Sequence, residues 1–137
     1  MAGYSGTPLL KKLGIKDGHR VLLRNAPSGL PEELRGYART NVKSNLDVVL
    51  LFAGSAATFK AEFGVFAQAI HAEGMIWVAW PKKASGVRTD LTEDVIRDFA
   101  LKTPFVDVKV CAIDDTWSGL KFVIRKELRR PQAAGIH

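Results

Sequence analysis

The feature that most constrains the fold is the apolar run LDVVLLFA at residues 46–53. Almost every position in it is apolar and it contains β-branched valines, which predicts a strand buried on both faces. Strands of this kind are typical of parallel sheets that have helices on both sides. We therefore predict an α/β protein with three layers and a mainly parallel sheet.

The chain before this run predicts only short elements. Pro8 at the first helical position and Gly14 just past the end delimit a short helix. Residues 20–25, RVLLRN, predict the first strand, and a short helix is expected at residues 32–37. Residues 38–45 predict either a short edge strand or no regular structure.

The chain after the run predicts a long helix at residues 56–72. Apolar residues recur on one face of this helix and are expected to pack in the core: Phe59, Phe63, Phe66 and Ile70. Gly74 is expected to end the helix, and a third apolar strand follows. His71, close to that end, is expected to complement the helix dipole.

The stretch MIWVAWPKKASG at residues 75–86 changes abruptly from a buried strand to a basic loop that contains a glycine. The residues after it predict a helix that Asp90 caps. A loop at the carboxyl end of a strand lies where open α/β sheets usually hold ligands. This loop therefore offers ligand-binding candidates suited to an anion: Trp80, Lys82, Lys83, Ser85 and Gly86. The alternative is an exposed basic loop without a ligand.

Two alternating segments, at residues 106–113 and 119–126, predict an antiparallel hairpin at one edge of the sheet. The turn between them offers two carboxylates for acid–base chemistry and two further ligand contacts: Asp114 and Asp115, then Trp117 and Ser118. The alternative is that these residues only build the turn and cover the core. If the third strand neighbours the hairpin, the turn and the lysine loop outline a shared cleft.

Length and composition set further limits. A chain of 137 residues suits one domain, predicted at residues 1–130, with a flexible tail at residues 131–137. The net charge of +6 and the pI near 9.7 favour anionic partners. Because basic residues recur from Lys121 to Arg130, weak nucleic-acid binding is one hypothesis.

Several classes of protein are disfavoured. The apolar runs stop far short of the roughly 20 residues that a membrane span requires. No signal peptide is visible, so we expect a cytoplasmic protein. The single cysteine, Cys111, forms no internal disulfide and is expected to be buried in its strand. The three histidines are scattered, so no metal site is expected.

The order of elements resembles the class I methyltransferase arrangement. The resemblance lies in LGIKDGHRVLL, DVVLLF, a helix, HAEGMIWVAWPK, another helix and a closing hairpin. It implies a Rossmann-like fold with a loop after the first strand that approaches S-adenosylmethionine. That loop is RNAPSGL here, which adds Asn25, Ser28 and Gly29 to the ligand-binding candidates. Residues 24–27 replace the acidic residue and glycines of the enzymes, so we expect no resident cofactor, with S-adenosylmethionine as the alternative.

A second resemblance covers most of the chain. The segments MAGYSGTPL, WVAWPKKASG followed by DLTEDV, and DVKVCAIDDTWSGLKF resemble an uncharacterised bacterial family of small proteins of unknown function. This resemblance implies no activity.

Together these observations favour a non-enzymatic or regulatory binding module on a methyltransferase-like scaffold. It is expected to recognise a small anionic ligand or a protein partner. The first alternative is an enzyme, either a divergent S-adenosylmethionine-dependent methyltransferase or one that uses the aspartates of the hairpin turn. The second alternative is weak nucleic-acid binding through the basic surface.

Overall fold

Five strands form one mixed sheet in the computed structural model, which describes residues 8–37 and 44–129. The strands are β1 (Val21–Arg24), β2 (Leu46–Phe52), β3 (Ile70–Pro81), β4 (Phe105–Ala112) and β5 (Trp117–Ile124). Their order across the sheet is β1-β2-β3-β5-β4. β1, β2 and β3 run parallel, whereas β5 runs antiparallel to both β3 and β4. The predicted parallel sheet with an antiparallel hairpin at its end is therefore confirmed.

Helical elements cover both faces of this sheet. The α-helices are α1 (Leu9–Leu13), α2 (Ala56–Ala67) and α3 (Glu93–Ala100), and short 3-10 turns occur at Glu32–Leu34, Lys83–Ser85 and Lys126–Leu128. α2 and α3 bury their apolar side chains in the core on one side, which we call the α2–α3 face. α1 and the turn at Glu32–Leu34 pack on the other side, which we call the α1 face. The protein thus has the three layers that the sequence predicts.

An aromatic cluster holds the α2–α3 face together. Phe63 of α2 is 1% exposed, and its ring contacts four other phenylalanine rings edge-on at centroid distances of 5.5–6.3 Å. These partners are Phe59, Phe99, Phe105 and Phe122. Each such pair contributes about 0.5–1.5 kcal/mol beyond the burial of its area. One side chain therefore joins α2, α3, β4 and β5.

The α1 face is anchored by Trp77 of β3. Its ring is fully buried, and its indole N–H donates a hydrogen bond to the carbonyl oxygen of Leu13 at 2.9 Å. Gly14 then ends α1 in the left-handed conformation, with φ of 79°. The prediction that Gly14 ends this helix is confirmed, whereas Pro8 is the residue before the helix and not its first residue.

The predicted end of the long helix is wrong. α2 ends at Ala67, and Ile70 already begins β3, so that Gly74 lies within a strand. The pairing between β2 and β3 steps from Leu46↔Ile70 to Val48↔Met75, which leaves an irregular stretch in β3. A Cβ atom on residue 74 would lie 2.9 Å from the carbonyl oxygen of Leu46. Because the backbone of β2 lies so close, only glycine, which has no Cβ atom, fits at this position.

Two polar residues have roles other than those predicted. α3 is capped by Thr92, whose hydroxyl accepts from the backbone N–H of Val95 at 3.2 Å. The Asp90 carboxylate instead accepts from the N–H of Ala56 at 2.7 Å, at the start of α2. His71 lies in β3 and binds Asp47, with 2.7 Å between Nε2 and Oδ1.

Some predictions fall on residues that the structure does not describe. They are the choice between a short edge strand and no regular structure at residues 38–43, and the tail at residues 131–137. Among the residues that are described, no helix is both long and apolar enough to cross a membrane.

Candidate functional site

The predicted candidates all lie at one edge of the sheet, where β1, β2 and β3 end and the β4–β5 turn lies. Pro81 at the end of β3 pairs with Trp117 at the start of β5. The backbone N–H of Lys82 donates to the carbonyl oxygen of Thr116 at 2.8 Å. The lysine loop and the hairpin turn are therefore neighbours, because β3 pairs with β5.

A pocket of about 600 Å³ opens beside the carboxyl end of β3, between the lysine loop and the start of α3. Its floor is apolar and consists of Trp80, Pro81 and Leu91, of which Trp80 is 7% exposed and Leu91 is 2% exposed. The remaining lining residues are Lys82, Lys83, Gly86, Val87, Arg88, Thr89, Thr92 and Glu93. An apolar floor with a few polar groups around it is typical of small-molecule sites.

The lysine loop is folded by its own hydrogen bonds. The Ser85 hydroxyl donates to the carbonyl oxygen of Lys82 at 2.7 Å and accepts from the N–H of Val87 at 3.1 Å. Gly86 follows the 3-10 turn with φ of 77° and lines the pocket. Ser85 therefore shapes the loop and does not line the pocket.

The far end of the loop is fastened to the start of α2. The Thr89 hydroxyl donates to the carbonyl oxygen of Gly54 at 2.8 Å, next to the contact between Asp90 and Ala56. A second, shallower cavity of about 390 Å³ lies there, and Arg88 and Thr89 line both cavities.

The pocket has an excess of positive charge. Lys82, Lys83 and Arg88 form no ion pair with any residue that the structure describes. The single acid of the lining, Glu93, is bound by Arg97. Because Glu93 and Asp107 both bind this guanidinium, the pKa of Arg97 is raised above its ordinary value. Three unpaired cations beside one neutralised acid favour an anionic ligand.

The hairpin turn does not contribute to this pocket, so the expected shared cleft is not formed there. Asp114 accepts from the N–H groups of Thr116 and Trp117 at 2.9 and 2.8 Å and holds the turn. The Trp117 ring packs edge-on against Phe52 at 5.2 Å, on the α1 face. Asp115 is exposed at the tip of the turn.

Ser118 is the hairpin candidate nearest to the pocket. It lies directly opposite Trp80 in the pairing of β3 with β5, but it does not line the pocket.

The loop after β1 is also separate from the pocket. Asn25, with φ of 60°, donates from its amide to the carbonyl oxygen of Phe52 at 3.2 Å and to Glu62 at 2.8 Å. Arg24 also binds Glu62, at 3.1 Å, and this hydrogen bond lowers the pKa of the Glu62 carboxyl. Ser28 and Gly29 are exposed in the same loop and are not among the lining residues.

Sequence reasoning missed several lining residues, among them Arg88, Thr89 and Thr92. Arg88 was the one with a recognisable signal, because it is a third cation within six residues of Lys83. Among the described residues, no group of three histidine, cysteine or acidic side chains is placed to hold a metal ion.

The strand order and the helices on both faces of the sheet make this a three-layer α/β fold with an antiparallel hairpin at the end of a parallel sheet. Neither family models nor curated proteins give a match to this chain. Among solved structures, it is similar to a protein in the NADB-Rossmann superfamily from Streptococcus agalactiae. The two are 9% identical with a TM-score of 0.49, and the alignment covers 86% of this chain and 68% of that one.

Proposed function

We propose that this chain is a non-enzymatic or regulatory binding module that recognises a small anionic ligand in the pocket beside Trp80. We further propose that the scaffold is methyltransferase-like, in keeping with the order of its elements. We place the protein in the cytoplasm. We also place it in the family of small bacterial proteins that its segments resemble.

One observation carries the proposal: a single concave pocket is lined by buried apolar residues together with three cations that no described carboxylate pairs. Trp80 and Leu91 offer a surface for a planar or apolar group. Lys82, Lys83 and Arg88 offer charge to a phosphate or carboxylate, and Arg88 has the planar fork that binds such groups with two hydrogen bonds. A nucleoside monophosphate has both features and is the probe we choose.

The chemical groups at this edge support binding over catalysis. Glu93 is held by Arg97, and Asp114 is held by the N–H groups of its own turn. In the loop that the methyltransferase resemblance assigns to S-adenosylmethionine, the Asn25 side chain is bound to Glu62. These side chains are occupied in the fold, whereas the three cations pair with no carboxylate in the described part of the chain.

Thermal unfolding with adenosine monophosphate, S-adenosylmethionine or inorganic phosphate tests the proposal. A ligand present at 100 times its Kd stabilises the folded protein by about 2.7 kcal/mol. We expect adenosine monophosphate to raise the melting temperature of the wild type and not of the double variant Lys83→Glu/Arg88→Glu. The matched control is the double variant Lys60→Glu/Lys102→Glu, which reverses two charges at exposed positions and leaves the lining unchanged.

Two outcomes would contradict the proposal. If S-adenosylmethionine alone stabilises the protein, and changes at residues 25–29 abolish this, the enzyme hypothesis replaces it. If none of the three probes changes the melting temperature, the pocket does not take this class of ligand and a protein partner becomes the better hypothesis.

A further inference from the structure

A second group of cations lies on the opposite face of the sheet from the pocket. Lys109 of β4 and Lys121 of β5 are directly opposite each other in the antiparallel pairing. Both lie on the α1 face, because the pair two residues further along the strands, Cys111↔Gly119, points to the same side. Cys111 packs in the core of that face. Like charges directly opposite each other on paired strands destabilise a sheet.

A third lysine comes from α1 and completes the group. Burial raises the pKa of the Cys111 thiol, and the charges of Lys12 and Lys109 both act against this rise, so both lysines act on the same side chain. Lys121 reaches back toward the end of α1, where its Nζ would lie 3.7 Å from a Cβ atom on residue 14. We call Lys12, Lys109 and Lys121 the three-lysine surface.

The repulsion at this surface is not relieved within the described part of the chain. None of the three lysines forms an ion pair with a residue described there. Burial and the neighbouring Lys109 lower the pKa of Lys121 below its ordinary value. An anion that binds between the three ammonium groups would reduce their mutual repulsion and so stabilise the folded protein.

The position of Lys109 makes this surface accessible to an extended polyanion. The strand register fixes the two facing lysines, and Lys109 is exposed at the edge strand of the sheet. Among the described residues, the large apolar side chains that are exposed include no aromatic ring. Single-stranded nucleic acids are usually bound by stacking on such rings, so the double-stranded backbone is the better match.

We propose that the three-lysine surface binds the phosphodiester backbone of double-stranded nucleic acid without reading its sequence. The binding is independent of the proposed pocket, because the two groups of cations lie on opposite faces of the sheet. Lysines contact phosphates as point charges, so affinity depends on their number and spacing and not on base identity.

Fluorescence anisotropy of a short labelled DNA duplex, titrated with the full chain over a series of salt concentrations, tests this proposal. Each phosphate contact contributes about 0.9 to the slope of log K against log salt concentration. We expect Lys109→Gln/Lys121→Gln to reduce the slope by about 2. The control Lys60→Gln/Lys102→Gln removes the same net charge from exposed positions on the other face and is expected to leave the slope unchanged.

Melting temperatures show whether the variants remain folded. Relief of the Lys109–Lys121 repulsion is expected to raise this temperature, so lost binding cannot be ascribed to unfolding. An equal loss in both double variants would show that net charge alone attracts the duplex and would overturn the proposal. Binding to vesicles of anionic lipid, without binding to the duplex, would overturn it in favour of a membrane surface.

Discussion

The two groups of cations in this protein have the same charge but different surroundings. Lys82, Lys83 and Arg88 are on a folded loop beside a concave apolar floor. Lys109 and Lys121 are fixed by strand register on an open sheet surface. The concave site provides an apolar contact for part of a small ligand, whereas the open one provides only charge at a fixed spacing. Both groups contain three cations, so the number of cations does not distinguish the two sites. Their surroundings do: we infer a small anion for the concave site and a polyanion for the open one.

The largest effect is expected from removing part of the core on the α2–α3 face, to which the pocket residues Trp80 and Leu91 also belong. Phe63→Ala deletes the ring that joins α2, α3, β4 and β5, and we expect a loss of about 3–5 kcal/mol in the free energy of unfolding. The measurement is denaturant unfolding. Val65→Ala on the same helix, at a side chain that is 64% exposed, is expected to change stability by less than about 0.5 kcal/mol. Equal losses would mean that the aromatic cluster does not support this face.

A smaller change separates the two faces. Trp77→Phe removes the indole N–H that binds the Leu13 carbonyl oxygen, and a buried group without its partner costs about 1–3 kcal/mol. We expect α1 to loosen and the affinity for the DNA duplex to fall, because Lys12 lies on that helix. Binding of adenosine monophosphate, measured by calorimetry at a temperature where the variant is folded, is expected to persist. Loss of both ligands together would show that the faces are not independent.

The link between the pocket loop and α2 contributes about 1 kcal/mol. Asp90→Ala removes the carboxylate that accepts from the Ala56 N–H, next to the Ser55 cap of α2, and loss of a hydrogen bond to a free N–H at a helix start costs about 0.5–2 kcal/mol. Thermal unfolding measures the loss. Asp115→Ala, at the exposed tip of the hairpin turn, is the control and is expected to be nearly neutral. If Asp90→Ala is neutral, this hydrogen bond does not stabilise the start of α2.

The smallest expected effect is a pH dependence of stability that comes from Lys121. Its pKa is lowered in the folded state, so the unfolded chain binds more protons between that lowered value and the ordinary value of 10.5. Stability contributed by this group therefore rises as the pH increases through that window. We therefore expect the melting temperature of the wild type, relative to that of Lys121→Gln, to be higher at alkaline pH than at neutral pH. The opposite trend would remove the evidence for repulsion at the three-lysine surface.

The sheet was predictable because its central strands have no polar face. Residues 46–53 and 75–80 are almost wholly apolar, and this pattern fits only strands covered on both sides. Gly74 was not predictable in the same way. The residue types at positions 68–73 are compatible with a helix, so the sequence does not show where α2 ends. Only the pairing of Ile70 with Leu46 shows that β3 has begun. Tertiary contacts decided that boundary.

The candidate pocket was predictable only in part, for a similar reason. Trp80, Lys82 and Lys83 are found in its lining because the end of a buried strand already indicates the edge of the sheet. Both Asp90 and Thr92 are good helix caps, and sequence spacing does not tell them apart. The start of α2 lies close to Asp90 in space and not in sequence, so this contact required the structure.

The most direct test of the account is a pair of NMR titrations of the backbone amides, one with adenosine monophosphate and one with a short DNA duplex. We predict that the nucleotide shifts amide signals within residues 80–93. The duplex is predicted to shift those of residues 12–14, 109 and 121. If both ligands shift the same set of signals, the protein has one anion-binding surface and the account is contradicted.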